Sequence, residues 1–212
     1  PTAPDGVITK IAAQVKAGLE AEADELRKTG VGIDVRVTAG APAESIVAEA
    51  TAIGVDLIAM STRRESALAR GILGSVTDRV LHSTTTPLLI LQPEDITDEA
   101  VGAGFIRNIV VPLDGSTLSE TAVAPATALA QATGAELVFT EVVKLPVYGM
   151  DMGGVGYGSV HYAEELDTKL QEETATRYLQ EFVENAESAG VKAHAQVRVG
   201  NPSIQIVDEA AS

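Results

Sequence analysis

Cysteine is absent from the 212-residue chain, so neither a disulfide framework nor a thiolate metal site can be built from it. Tryptophan is absent as well, and aromatic residues make up 3% of a chain that is 45% hydrophobic. The interior must therefore be filled by Ala, Val, Ile and Leu, the usual content of a parallel sheet covered by helices. Positive charge is scarce: 15 Lys and Arg face 30 Asp and Glu, a formal net charge of −15. That charge repels phosphate backbones and anionic lipid headgroups, and no Lys/Arg-rich run reverses it locally, so neither nucleic acid nor membrane is an expected partner. No apolar run approaches the roughly 18 residues of a membrane span. The chain opens on Pro1 rather than Met, without the basic and apolar segments of a signal peptide, which makes a cytoplasmic protein trimmed at its start the expectation.

The residues that are present alternate in pattern. Ile11, Val15, Leu19, Ala23 and Leu26 recur at helical spacing and Gly30 stops the pattern. Ile33, Val35 and Val37 then alternate with polar residues as in a strand, and Gly40-Ala41-Pro42 leads into a second helical pattern that ends at Gly54. Asp56 to Met60 and Pro87 to Leu91 read as short buried strands flanking a helix from Ile72 to His82. Residues 93–105 are acidic, Gly-bearing and aperiodic, and read as a linker. The alternation then restarts with a strand at Ile109-Val110-Val111, an Ala-rich helix from Thr117 to Thr133 and a strand from Leu137 to Val143. Pro146 to Tyr162 reads as a long mobile loop and Glu164 to Ser188 as a helix, followed by a strand from 192. Strands alternating with helices imply right-handed crossovers and a parallel sheet.

An internal repeat organises these pieces. Gly30-Val31, Val37, Gly40, Pro42, Ile46-Val47 and Glu49-Ala50 return 160 residues later as Gly190-Val191, Val197, Gly200, Pro202, Ile206-Val207 and Glu209-Ala210. One unit is written twice, residues 1–92 and 106–212, and each copy lacks a different part. The first copy continues on the C-terminal side of the repeated motif, and the second extends on its N-terminal side.

Asn108 to Ser116, the Gly-x-Pro helix starts at 40 and 200, and the stretch from Asp56-Leu57-Ile58-Ala59-Met60 to Gly74-Ser75-Val76-Thr77-Asp78-Arg79-Val80-Leu81 together resemble the universal stress protein family. The resemblance covers nearly the whole chain apart from the linker and the long loop. It implies a doubly wound, Rossmann-like parallel sheet of the adenine nucleotide alpha hydrolase type, five strands in the order 3-2-1-4-5 per unit. Unit one retains strands three to five, and unit two strands one to three. The resemblance also implies an ATP site, with magnesium accompanying the phosphates, and self-association through the last strand, here Leu88 to Leu91. In unit two, Asp114 stands where the family holds adenosine, flanked by Pro112 and Leu113 and followed by Ser116, and Val142 stands where the family lines the adenine pocket; the phosphate loop of this unit would lie beyond Ser212. In unit one, Met60 and Ser61 end the fourth strand, and Gly74, Ser75 and Val76 stand at the phosphate side. The family pattern Gly-x-x-Gly-x9-Gly-Ser/Thr here reads Ser61-Thr62-Arg63-Arg64, nine residues, then Gly74-Ser75. Two of three glycines are replaced, and Arg64 brings a long side chain to a place that needs close backbone approach.

The same residues have plainer readings. Asp114-Gly115-Ser116 is also ordinary turn and cap chemistry. Arg63, Arg64 and Arg70 read as an anion pocket or, more simply, as a solvated loop. Tyr148, Tyr157, Met150 and Met152 read as a ligand cover or as disordered loop. His82, His161 and His194 are scattered singly, without the spacing of a metal or catalytic site. No nucleophile elbow, Walker-type loop, dinucleotide fingerprint or nucleophilic Cys occurs, so an enzyme is not expected. Two functions stay open, a regulatory ATP-binding module in the stress response and a dimerising interaction protein that binds no nucleotide, its protein partner unidentified in either case. Two architectures also stay open: separate tandem units, or one permuted sheet in which Asp114 and Val142 join Ser61, Gly74 and Ser75 in a composite site.

Overall fold

The computed structural model describes residues 5–61, 74–91, 106–144 and 157–211, with side chains described from 9 and from 166 in the first and last segments. The chain divides into two compact units, Pro1–Ile96 and Thr97–Ser212.

Unit one runs α1 (Asp5–Arg27), α2 (Pro42–Ile53), β1 (Ile58–Ser61), α3 (Ser75–Ser83) and β2 (Leu88–Leu91). β1 and β2 pair in parallel, Ile58 beside Leu88 through Ser61 beside Leu91. A small core of Ala43, Ala50, Ile58 and Val80 joins the two helices to this ladder, with Ile46, Val47 and Met60 against it. Arg79 on α3 reaches Glu44 on α2 at 3.2 Å, an exposed pair that adds little.

The strand expected at Ile33 to Val37 does not form. Its alternation survives, since Ile33, Val35 and Val37 are half-buried while Asp34 and Arg36 are exposed, yet residues 31–39 join no ladder. The second copy offers the contrast. There the corresponding segment is β5 (Ala193–Val199), which pairs with β4 (Glu136–Val143). Among the described residues of unit one no strand pairs with 31–39, and extended backbone becomes a strand only where a neighbour takes its amide and carbonyl groups.

Unit two runs β3 (Asn108–Pro112), α4 (Thr117–Glu120), α5 (Val123–Thr133), β4, α6 (Tyr157–Ser188), β5 and α7 (Pro202–Ala210). Its three strands are parallel in the order β3-β4-β5, the 3-2-1 half of the expected sheet. β4 is central and covered on both faces. Leu137 and Phe139 pack with Ala130 of α5 and with Leu179 and Val183 of α6. Val138 and Thr140 point the other way and are also buried, on the face across which α7 packs.

Two helix boundaries differ from the periodicity. The helix expected from Thr117 to Thr133 breaks at Thr121-Ala122. Pro125 has no amide to give the Thr121 carbonyl, and its ring would collide with that carbonyl in a continuous helix. The chain therefore restarts, and Pro125 sits in the first turn of α5, where an absent donor is harmless. At the other boundary, α6 begins at Tyr157, so residues 157–162 of the expected loop are helical. Extending an existing helix requires no new nucleus. The remainder of that loop, residues 146–156, and the linker at 93–105 lie outside the described residues.

A candidate nucleotide-side turn at the edge of the second sheet

The site is built at the carboxyl end of β3. Leu113 is buried, and its amide donates to the Thr140 carbonyl at 2.8 Å, extending the β3–β4 ladder one residue past the strand. Asp114 is therefore the first residue free of the sheet. Gly115, at φ +77°, reverses the chain in a conformation that a side chain would strain. Asp114 Oδ1 accepts from the Ser116 amide at 3.0 Å and from the Ser116 hydroxyl at 2.6 Å. Ser116 Oγ in turn accepts from the Ser119 amide at 3.1 Å and so caps α4. Ser119 Oγ donates to the Ser116 carbonyl at 2.9 Å and lies 3.3 Å from the Asp114 amide, from which it accepts.

These bonds favour the ionised form of Asp114. The Ser116 hydroxyl first, and then the Ser116 amide, hold its pKa at about 2. Glu141 on β4 moves in the opposite direction, raised first by burial and then by the negative charge of Asp114. Two carboxyl groups at one sheet edge are thus pushed apart by their surroundings. Tyr178 of α6 completes the group. Its hydroxyl donates to Glu120 Oε1 at 3.0 Å, and burial, followed by Glu120 and Glu141, pushes its pKa up to about 12.

The structure brings Pro112, Leu113, Asp114 and Ser116 into one turn, with Val142 half-buried near the end of the adjacent strand, beside Arg198 of β5. In unit one, Met60 and Ser61 end β1, while Gly74 caps α3 and Ser75 and Val76 open it. The residues between them, including Arg63, Arg64 and Arg70, lie outside the described residues. Tyr148, Met150 and Met152 lie outside them too, whereas the backbone at Tyr157 is the first residue of α6. Glu120, Glu141 and Tyr178 were not legible as site residues. Tyr178 lies four residues before Phe182 and reads as part of a buried helix stripe, and nothing local links it to Glu120, 58 residues away.

Parallel strands joined by helices on both faces, with a capped Asp-Gly-Ser turn at the carboxyl edge of the first strand, define a Rossmann-like α/β protein. The family model of the Universal stress protein family matches residues 2–92 and 106–212, and the chain belongs to that family as a tandem member. A universal stress protein of Methanocaldococcus jannaschii is 31% identical over 83 residues, 39% of this chain and 51% of that protein, so the chain spans about half the length of the curated relative it matches. The crystal structure of a universal stress protein from Archaeoglobus fulgidus aligns over 100% of this chain and 67% of its own, at TM-score 0.65 and 22% identity. That of a putative universal stress protein from Pseudomonas aeruginosa aligns over 92% and 63%, at TM-score 0.60 and 17% identity. These structural likenesses establish the fold. Among the described residues no helix is long and apolar enough to cross a membrane.

Proposed function

We propose that unit two binds an adenine nucleotide, ATP by preference, and that the protein acts as a regulatory module in the stress response rather than as an enzyme. The observation that carries this reading is the Asp114 turn, an exposed carboxylate held ionised at the carboxyl edge of a parallel sheet, where doubly wound folds take their ligands. The residues present suit the nucleoside half of such a ligand. Asp114 offers a fixed acceptor for amino or hydroxyl donors, and Val142 on the adjacent strand adds half-buried apolar surface. Magnesium would enter with the phosphates, since no cluster of His, Asp or Glu able to hold a metal occurs among the described residues. Occupancy regulates a partner only if the two states bind that partner differently.

The replaced glycines at Ser61 and Arg64 favour a second reading, a dimerising interaction protein without a nucleotide. The apolar run Leu88 to Leu91, half-buried throughout, is the strand through which either form would self-associate. Calorimetric titration of ATP and AMP into the full-length protein, beside Asp114→Ala, separates the two. Saturable heat lost in the variant supports the nucleotide sensor, and no heat at millimolar ligand leaves the interaction protein.

A further inference from the structure

α4 has four residues, too few to persist on helical propensity, and its one large apolar side chain, Leu118, is exposed. Burial therefore does not hold it in place. Two sets of contacts do: the Ser116 cap with the Ser119 hydroxyl at its start, and the bond from Tyr178 to Glu120 at its end. The two are linked, because the Glu120 amide donates to the Ser116 carbonyl at 3.2 Å, and Ser116 is the residue that fixes Asp114 Oδ1. The far end of this chain of bonds is anchored in the core. Tyr178 packs edge-on against Phe182 with ring centroids 5.1 Å apart, and Phe182 meets the buried Phe139 of β4 at 5.8 Å.

From this geometry we infer that Tyr178 is a positioning residue, whose hydroxyl, acting through Glu120, holds the turn that carries Asp114. The inference rests on the nucleotide reading of that turn for its functional meaning, but the positioning itself can be tested without a ligand. Tyr178 remains a neutral donor across the physiological range, because burial and the nearby carboxylates oppose its ionisation. The arrangement couples α6 to the candidate ligand edge through one phenol and one carboxylate 58 residues away.

The test is amide hydrogen exchange by NMR on the full chain, with Tyr178→Phe, Glu120→Gln, Glu120→Ala and the Tyr178→Phe/Glu120→Ala double variant, alongside ATP titration of each. Tyr178→Phe keeps the ring packing, so the fold is retained. Its Ser116, Ser119 and Glu120 amides should exchange about three- to tenfold faster than wild type, while those of β4 keep their rates. Glu120→Gln retains an acceptor oxygen and should stay within about twofold of wild type, whereas Glu120→Ala should match Tyr178→Phe. The double variant should exchange no faster than either single, as expected of two ends of one bond. Unchanged turn exchange in Tyr178→Phe, additive effects in the double variant, or loss of protection across all three strands would each overturn the inference. If the turn loosens but wild type takes up no ATP, positioning stands and the nucleotide reading fails. If ATP binds and neither exchange nor affinity responds to Tyr178→Phe, the nucleotide reading stands and positioning fails.

Discussion

The repeat places α1 in the first copy opposite α6 in the second, and the same helix face meets different fates. Val15, Leu19 and Leu26 are 47%, 41% and 56% exposed, while their counterparts Ala175, Leu179 and Ala186 are 3%, 0% and 4% exposed. α6 lies on β4 and β5, and α1 has beside it the unpaired extended segment 31–39, tied to it by Arg27, whose guanidinium donates twice to the Ile33 carbonyl at 3.1 and 2.7 Å. Turn chemistry, by contrast, is duplicated faithfully. Gly40 and Gly200, at φ +144° and +136°, both bend the chain from the extended segment into a helix opened by proline. An ion pair from the extended segment to the following helix recurs as well: Arg36 meets Glu49 at 3.2 Å, and Arg198 meets Glu209 at 2.6 Å. The acid sits at the same repeat position and the arginine has moved two residues, which keeps it on one side of an extended chain. Local devices survive copying, and burial depends on which strands are at hand.

The largest effect should come from the two equivalent leucines. Leu179→Ala removes a fully buried side chain and should cost about 2–5 kcal/mol, whereas Leu19→Ala, already part-exposed, should cost about 1 kcal/mol or less. Urea titration with residue-resolved NMR in each unit measures both, and equal costs would break the comparison. The ion pairs should differ next. Glu209 is 9% exposed and Glu49 38%, so Arg198→Ala removes an arginine from a covered carboxylate and should cost about 1–3 kcal/mol, against about 0–1 kcal/mol for Arg36→Ala. A double-mutant cycle with Glu209→Ala and Glu49→Ala isolates each pair, and a larger coupling in the first copy would contradict the burial argument.

The smallest effect is the pH response of the turn. Asp114 is held from 3.8 down to about 2, so its contribution is present above its ordinary pKa and is lost as pH falls through about 2. Glu141 is raised, so its contribution has the opposite sign: it is present while the group is protonated and declines as pH rises beyond the ordinary carboxylate range. Carboxyl-carbon NMR titration resolves both groups. A midpoint for Asp114 at its ordinary value would mean that the Ser116 bonds to its carboxylate do not persist in solution.

Much of the fold could be read directly. The apolar periodicity of α1, the Gly-x-Pro starts of α2 and α7, and the short runs at β1, β2 and β3 each appear where the residues suggested, because helix stops, starts and alternation are properties of neighbouring residues. Asp114, Gly115 and Ser116 were recognisable as a turn for the same reason. The misreadings came from competition between local signals or from distant partners. Ala-rich periodicity concealed the break that Pro125 imposes, and the alternation at Ile33 to Val37 is a strand signal that joins no ladder among the described residues.

The sequence by itself determined the α/β class, the twofold repeat, the family and the Asp114 turn, since each is written in residues a few positions apart or in their recurrence. Only the tertiary structure decided that one copy of the repeated segment is a strand and the other is not, and that Tyr178 reaches Glu120 across 58 residues. Ladder bonds and side-chain reach both need a second segment brought within about 3 Å, and no local pattern encodes which segment that will be.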